Sequence, residues 1–391
     1  MQTAYIVKGL RTAVAKSKRG GFRFTSPVDF GAEVINQLLA LVPQLDPARV
    51  DDLIVGNAVP EAEQGLQMSR WLALRSKLPI SVPGVKVNRY CGSGIETIAM
   101  ATAKIQSGMA DCIIAGGVES MSLVPTVGYK TVPNFSIATE HPDYYIGMGL
   151  TAEEVSIKYN VNRADQDEFS YRSHLKAIAA IESGKFKSEI APVTIEETYY
   201  DNGKRKQRSF VVDTDEGPRK DTSVESLSSL KPAFKMGGLV TAGNSSQTSD
   251  GAGFVLVMSE KLMKELGLEP EARIVTCASA GVNPRYMGIG PCEAVPKALS
   301  RTGLKLQDID LIELNEAFAA QSLAVIRTLD LDPEKVNPNG GAIALGHPLG
   351  CTGARLAITI SRELKERNKK YGLVTACIGG GQGIAAVVER F

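Results

Sequence analysis

The chain has 391 residues, 43% of them hydrophobic and 22% charged, the balance of an ordinary globular protein long enough for two or three domains. Its 44 basic and 43 acidic residues leave a formal charge of +1, so no overall field recommends a nucleic acid or an acidic membrane as partner. No run approaches the roughly 18 uninterrupted apolar residues of a membrane span, and neither a secretory signal nor a peroxisomal C-terminal address is expected, which makes a cytoplasmic protein the default if the source is bacterial.

In chain order, apolar runs at Thr3–Lys8, Asp52–Val59, Gly84–Arg89 and Cys112–Ala115 read as strands, with helices near 27–43, 66–76 and 95–106 between them. Alternating strands and helices imply a sheet covered on both faces. From about Met121 to Ser249 the texture changes to frequent Pro, Gly and Tyr with charged runs, as in an inserted loop domain holding one good helix at Arg163–Ser183. After Asp250 strands return at Phe254–Met258, Arg273–Ala280, Ile309–Leu314 and Gly372–Cys377. The two outer portions resemble each other. Each has a glycine turn (Cys91–Gly94, then Gly346–Gly353), a helix, a strand and a glycine run (Gly116–Gly117, then Gly379–Gly381), so duplication of one α/β unit is the simplest reading. The predicted division is 1–120, 121–249 and 250–391, with the chemistry where turns of the two halves converge.

Six cysteines stand without any CxxC pair, which argues against a zinc site or a disulfide framework and directs attention to single reactive thiols; no metal is expected. Cys91, in Val87-Asn88-Arg89-Tyr90-Cys91-Gly92-Ser93-Gly94, lies between a strand and a helix, where free N–H groups and the helix dipole favour a thiolate. By position alone a packed, inert cysteine is as good a reading. Of the three histidines, His174 falls in a charged amphipathic helix and reads as a surface or packing residue, and His141 precedes a proline in the irregular stretch. His347 sits in the glycine-rich run Gly340–Gly353, which gives it no core role and suits a general base for a thiol, with a satisfied turn histidine as the alternative. Cys377 ends a strand before Ile378-Gly379-Gly380-Gly381-Gln382-Gly383. These glycines lack the full dinucleotide pattern and suit backbone N–H groups holding an oxyanion. Asn315-Glu316 follows a strand end, where Asn315 reads either as a helix cap or as a holder of water or substrate oxygen.

Together, the blocks around Cys91, Asn315-Glu316-Ala317-Phe318, Gly340-Gly341-Ala342 through Gly346-His347-Pro348, and Cys377–Gly383 resemble the four signature blocks of the thiolase family, in the family's order. The resemblance runs the length of the chain, through Gly147-Met148-Gly149 and Lys231-Pro232-Ala233-Phe234. It implies the thiolase fold, five layers α-β-α-β-α from two duplicated α/β halves, with the inserted loop domain binding coenzyme A. It further implies that Cys91 is the nucleophile, His347 its activator and Cys377 the acid and base at carbon. Asn315, through a water, and His347 would hold the enolate oxygen, and the N–H groups of Cys91 and Gly379 the acyl-enzyme oxyanion. Arg219, Ser246, Met148, Ala317 and Phe318 are the implied coenzyme A contacts.

The implied activity is that of an acetyl-CoA C-acyltransferase acting on 3-ketoacyl-CoA in fatty acid β-oxidation, with coenzyme A as substrate and no permanently bound cofactor. The implied form is a homodimer or homotetramer, with a β-oxidation enzyme as a further partner. The segment Gly20-Gly21-Phe22-Arg23 favours this broad-range type over a thiolase confined to acetoacetyl-CoA. A decarboxylating ketoacyl synthase would need a second histidine where Asn315 stands, and a non-catalytic scaffold would be expected to lose the nucleophile or its base. If Cys91 and Cys377 face one substrate atom, an inactivating disulfide between them is also expected to form on oxidation.

Overall fold

The computed structural model describes residues 2–391. The chain first forms β1 (Ala4–Arg11), the short β2 (Ala15–Lys16), α1 (Pro27–Ala40), β3 (Asp52–Gly56), α2 (Met68–Arg75), β4 (Gly84–Val87), α3 (Ser93–Gln106) and β5 (Cys112–Ser120). A loop-rich stretch carries α4 (Phe135–Glu140), α5 (Met148–Lys158), α6 (Arg163–Glu182), the hairpin of β6 (Val193–Asp201) and β7 (Lys204–Val212), and α7 (Val224–Ser228). Then come β8 (Ser249–Ser259), α8 (Glu260–Glu265), β9 (Arg273–Gly281), α9 (Gly290–Leu299) and β10 (Leu311–Leu314). The chain closes with α10 (Ala319–Leu329), α11 (Ala342–Leu345), α12 (Leu349–Glu366), β11 (Tyr371–Ile378) and β12 (Gln382–Glu389).

Two mixed sheets form, one in the order β1-β8-β5-β3-β4 with β2 on β8, the other β10-β11-β12-β9. Their strands are apolar on both sides because both faces are covered. In β8, Phe254, Leu256 and Met258 join one apolar cluster while Val255 and Val257 join another, the two-residue period of a strand between two layers. The first cluster packs Phe30, Ile35 and Leu38 of α1 and Leu72 of α2 on the outer face of the first sheet. The second holds α3 and α12 between the sheets through Ile95, Ile98, Leu356 and Ile360. A third packs Val295 of α9 and Val325 of α10 on Leu373 and Val387 of the second sheet. The result is the five-layer thiolase fold, α-β-α-β-α.

Several elements differ from the sequence reading. The strand at Phe254–Met258, grouped there with the second half, lies in the first sheet between β1 and β5. Gly116 and Gly117 do not end β5 but lie inside it, where a Cβ would stand 2.0 Å from Gly253 O and 1.9 Å from Gly350 O, so neighbouring backbone takes the place of side chains. The loop-rich stretch contains the β6–β7 hairpin, and β12 completes the second sheet. The loop-rich stretch is anchored to the first sheet by Arg11, fully buried, whose guanidinium holds Glu189 at 2.7 Å and Asp215 through two bonds of 2.7 and 2.9 Å.

Candidate active site

Cys91 sits on a sharp turn between β4 and α3. Its predecessor Tyr90 has φ +42°, a left-handed conformation that a non-glycine residue adopts only when its surroundings hold it there. Asn88 does so by accepting from Tyr90 N (2.8 Å) and donating to Ala58 O (3.0 Å), and Ser93 Oγ donates to Tyr90 O (2.7 Å). The backbone N–H groups of Gly379 and Cys91 itself point at the sulfur. The thiolate anticipated from the helix N-terminus is nevertheless not the resting form. Cys91 packs with Ala58, Val59, Met121, Val124 and Leu349, and this desolvation pushes its pKa up to about 11 against the pull of the two N–H groups. A thiol held neutral needs a base to react.

His347 is held in the form that a base requires. Thr352 Oγ1 donates to Pro348 O (2.9 Å), so it accepts from His347 Nδ1–H at 2.6 Å and leaves Nε2 without a proton. Burial, and then the charge of Arg355, push the His347 pKa down to about 3, keeping the ring neutral. Asn315 Nδ2 lies 3.3 Å from Nε2, a long contact that leaves the lone pair open to a better donor. Asn315 is therefore not a helix cap: α10 starts at Ala319, and Asn315 Oδ1 is buried with no partner among the described residues. Glu316 fixes this turn by accepting from Ser173 Oγ (2.7 Å), Asn337 Nδ2 (2.8 Å) and Ile343 N (3.2 Å).

Cys377 is the last residue but one of β11, fully buried in a cluster with Met148, Ala152, Val240, Met287, Ala317 and Phe318. Burial, and then the charge of Cys91, raise its pKa; β11 packs against the Tyr90–Gly92 turn, where a Cβ on Gly379 would stand 3.8 Å from Tyr90 Cδ2, and both thiols are free. The glycines beyond Cys377 close an antiparallel hairpin, which rules out a dinucleotide strand-to-helix turn. Gly380 and Gly381 have φ +78° and +80°, and a Cβ on Gly381 would stand 2.3 Å from Val282 O.

A cavity of about 440 Å³ is linked to His347 through Gln247, whose O accepts from His347 N (3.0 Å), and is lined by Gln247, Arg219 and Ser246 together with Lys16, Arg19, His174 and Phe234, and by no carboxylate. Met148, Ala317 and Phe318 lie off its wall but lead inward from it. Phe234 packs edge-on against Phe318 (6.1 Å), and Phe318 shares a cluster with Cys377. His174, read as surface or packing, is buried at the cavity wall, where its Nδ1 accepts from Arg219 N at 3.2 Å. The sequence reading also missed Thr352, Lys16 and Arg19. A threonine five residues after His347, on the helix that the histidine precedes, was the one available signal. Among the described residues no cluster of three or more His, Cys, Asp or Glu could hold a metal ion, and no helix is long and apolar enough to cross a membrane.

Comparison with known proteins adds two family models, the thiolase N-terminal domain over residues 4–261 and the thiolase C-terminal domain over residues 268–390. The chain is 51% identical over 390 residues to a 3-ketoacyl-CoA thiolase of Bacillus subtilis, with 100% of both chains covered. It is 44% identical over 405 residues to an acetyl-CoA acetyltransferase of Escherichia coli, again with 100% of both covered. Two solved structures are also similar: the Bacillus anthracis acetyl-CoA acetyltransferase, at TM-score 0.91 and 39% identity, and human mitochondrial 3-ketoacyl-CoA thiolase, at 0.89 and 36%. Each similarity covers 100% of this chain and 99% of the other.

Proposed function

The chain belongs to the thiolase family and is an acyltransferase, and we propose that it cleaves 3-ketoacyl-CoA with coenzyme A to give acetyl-CoA and a shortened acyl-CoA. The observation that carries this reading is the packing of the Cys91 turn against the end of β11, which holds Cys377, with the N–H groups of Cys91 and Gly379 at the Cys91 sulfur and the Asn315–His347 pair in the same fold.

In this reading His347 Nε2 takes the Cys91 proton, and the thiolate adds to the 3-keto carbon. Collapse of that adduct breaks the bond between C2 and C3, leaving the acyl group as a thioester on Cys91 and the electron pair on the acetyl-CoA enolate. The enolate oxygen is held by His347, now protonated, and by a water on Asn315, whose unpartnered Oδ1 suits that role. Cys377 gives its proton to C2 and acetyl-CoA departs. Cys377 then takes the proton of the incoming coenzyme A thiol, which attacks the thioester while the N–H groups of Cys91 and Gly379 hold the oxyanion. The Cys91 thiolate leaves and recovers its proton from His347. Each such donor contributes roughly 3 kcal/mol of barrier lowering. Lys16, Arg19 and Arg219 around the cavity suit the phosphates of coenzyme A, with Ser246 near its pantetheine and Met148, Ala317 and Phe318 along the way to the thiols.

The degradative direction, a role in β-oxidation, a cytoplasmic location and a homo-oligomeric form belong to the same reading and rest on the resemblance. The 51% identity to a 3-ketoacyl-CoA thiolase, against 44% to an acetyl-CoA acetyltransferase, favours the broad-range type. The test is coenzyme A-dependent cleavage of acetoacetyl-CoA and of a longer 3-ketoacyl-CoA by wild type and Cys91→Ser. Turnover of both, lost in the variant, is expected. Turnover of acetoacetyl-CoA alone would replace the broad-range reading with the acetoacetyl-CoA one, and an inactive wild type would overturn both.

A further inference from the structure

Glu119 lies near the end of β5, 1% exposed, and none of its contacts is to a cation. Its Oε2 accepts from Ala58 N (2.8 Å) and Gly350 N (2.9 Å), and its Oε1 accepts from Gln64 Nε2 (2.8 Å), Asn57 Nδ2 (3.1 Å) and Val59 N (3.3 Å). Lys86, whose charge feels Glu119, donates instead to Gln64 O and Leu66 O. Burial pushes the Glu119 pKa up, but all of these partners are donors, and their hydrogen bonds pull it back toward the carboxylate.

These bonds run to both halves of the site. Gly350 is in the first turn of α12, the helix that follows His347, where an anion is favoured by the free N–H groups. Ala58 accepts from Asn88 Nδ2, and Asn88 Oδ1 holds the N–H of strained Tyr90, next to Cys91. The seat is tight: a Cβ on Gly350 would stand 2.6 Å from Gly56 O and 2.8 Å from Glu119 Oε2. Ala58 and Val59, bonded to Glu119 by their N–H groups, pack with Cys91 and Leu349.

We propose that Glu119 is a positioning residue for the thiolysis, a buried carboxylate that sets the His347 loop against the Cys91 turn. The proposal rests on the function assigned above. The titratable groups around Glu119, Cys91 and His347 are Lys86 on β4, Cys351 and Arg355 on α12, and Cys377 on β11. The negative charge of Glu119 also opposes ionisation of Cys91, so its loss should ease that ionisation.

The experiment is Glu119→Gln in the full chain, with thiolysis kinetics, melting temperature and the pH dependence of Cys91 alkylation by iodoacetamide read by mass spectrometry. Misplacing the base by about 1 Å is expected to lower kcat by about 100-fold. The KM for coenzyme A should stay within about twofold, since its cavity is lined by other residues, and alkylation should move to lower pH. A folded variant with wild-type kcat and an unshifted alkylation profile would overturn the proposal, leaving Glu119 a purely structural residue. If Glu119→Gln does not fold, Glu119→Asp, which keeps the charge but retracts it, should show the fall in kcat without the shift in alkylation pH; wild-type kcat there would equally overturn it. The alkylation readout needs no substrate, so a wrong substrate class for the wild type and a wrong role for Glu119 are told apart.

Discussion

Gly94 and Gly353 meet where α3 and α12 cross between the sheets: a Cβ on Gly94 would stand 2.5 Å from Ala354 N, and one on Gly353 would stand 2.3 Å from Ile95 N. The two glycines hold corresponding places, each shortly after the turn that carries the reactive residue of its half, Cys91 in one and His347 in the other. Backbone-to-backbone approach at this crossing is what brings turns from distant parts of the chain to one site.

Gly353→Ala should therefore cost both stability and activity. The added methyl has only backbone to displace, which puts the overpacking penalty at about 1–3 kcal/mol. A lowered melting temperature together with a lowered kcat is expected. Wild-type kcat in a destabilised variant would show that the crossing does not set the catalytic spacing.

How much of this was legible beforehand follows from what each feature depends on. The central strands could be read because burial on both faces makes them continuous apolar runs, and Cys91, His347 and Cys377 stood out because each interrupts such a run within glycine-rich sequence. β8 was grouped with the second half because a buried strand carries no mark of which sheet it joins. The β6–β7 hairpin was missed because β7 is exposed along most of its length, so charged residues such as Lys204-Arg205-Lys206 stand on both faces and no alternation shows. The protonation of Cys91 was misjudged because the helix N-terminus is local, whereas the apolar ring around the sulfur comes from Val59, Met121 and Leu349, far apart in sequence.

The neutral thiol has its own consequence. Iodoacetamide alkylation of Cys91 in the free enzyme should keep accelerating beyond pH 9, toward the value of about 11 that burial imposes, instead of levelling off near the ordinary cysteine value. A plateau below pH 8 would mean a stabilised thiolate and remove the need for His347 as base. With the base required, His347→Ala should lower kcat by about 10²–10⁴-fold.

Arg11 should be hard to replace. Arg11→Met keeps much of the volume but leaves Glu189 and Asp215 buried without their cation, a loss of about 3–5 kcal/mol. Because Glu189 and Asp215 belong to the loop-rich stretch, hydrogen exchange should quicken there more than in the second sheet. Uniform exchange in the variant would deny the anchoring role.

Acid should destabilise the fold through two histidines kept neutral inside it. In the unfolded chain both would protonate near pH 6.5, whereas burial holds His347 at about 3 and His174 at about 4. Below pH 6.5 the unfolded state thus binds more protons, so the stability these groups contribute is complete above that pH and drains as pH falls toward their folded values. At pH 5 the loss is about 2 kcal/mol for each. Asp250 works in the other direction, because burial raises its pKa to about 6 and the fold favours its protonated form as pH falls through that value, so it offsets part of the loss. His174→Gln removes one histidine without touching His347. Its unfolding free energy, measured by denaturant titration at pH 7.5 and pH 5, should fall by about 2 kcal/mol less than that of the wild type. Equal falls would mean that His174 is protonated in the fold, and that the Arg219 N–H bond to its Nδ1 does not persist in solution.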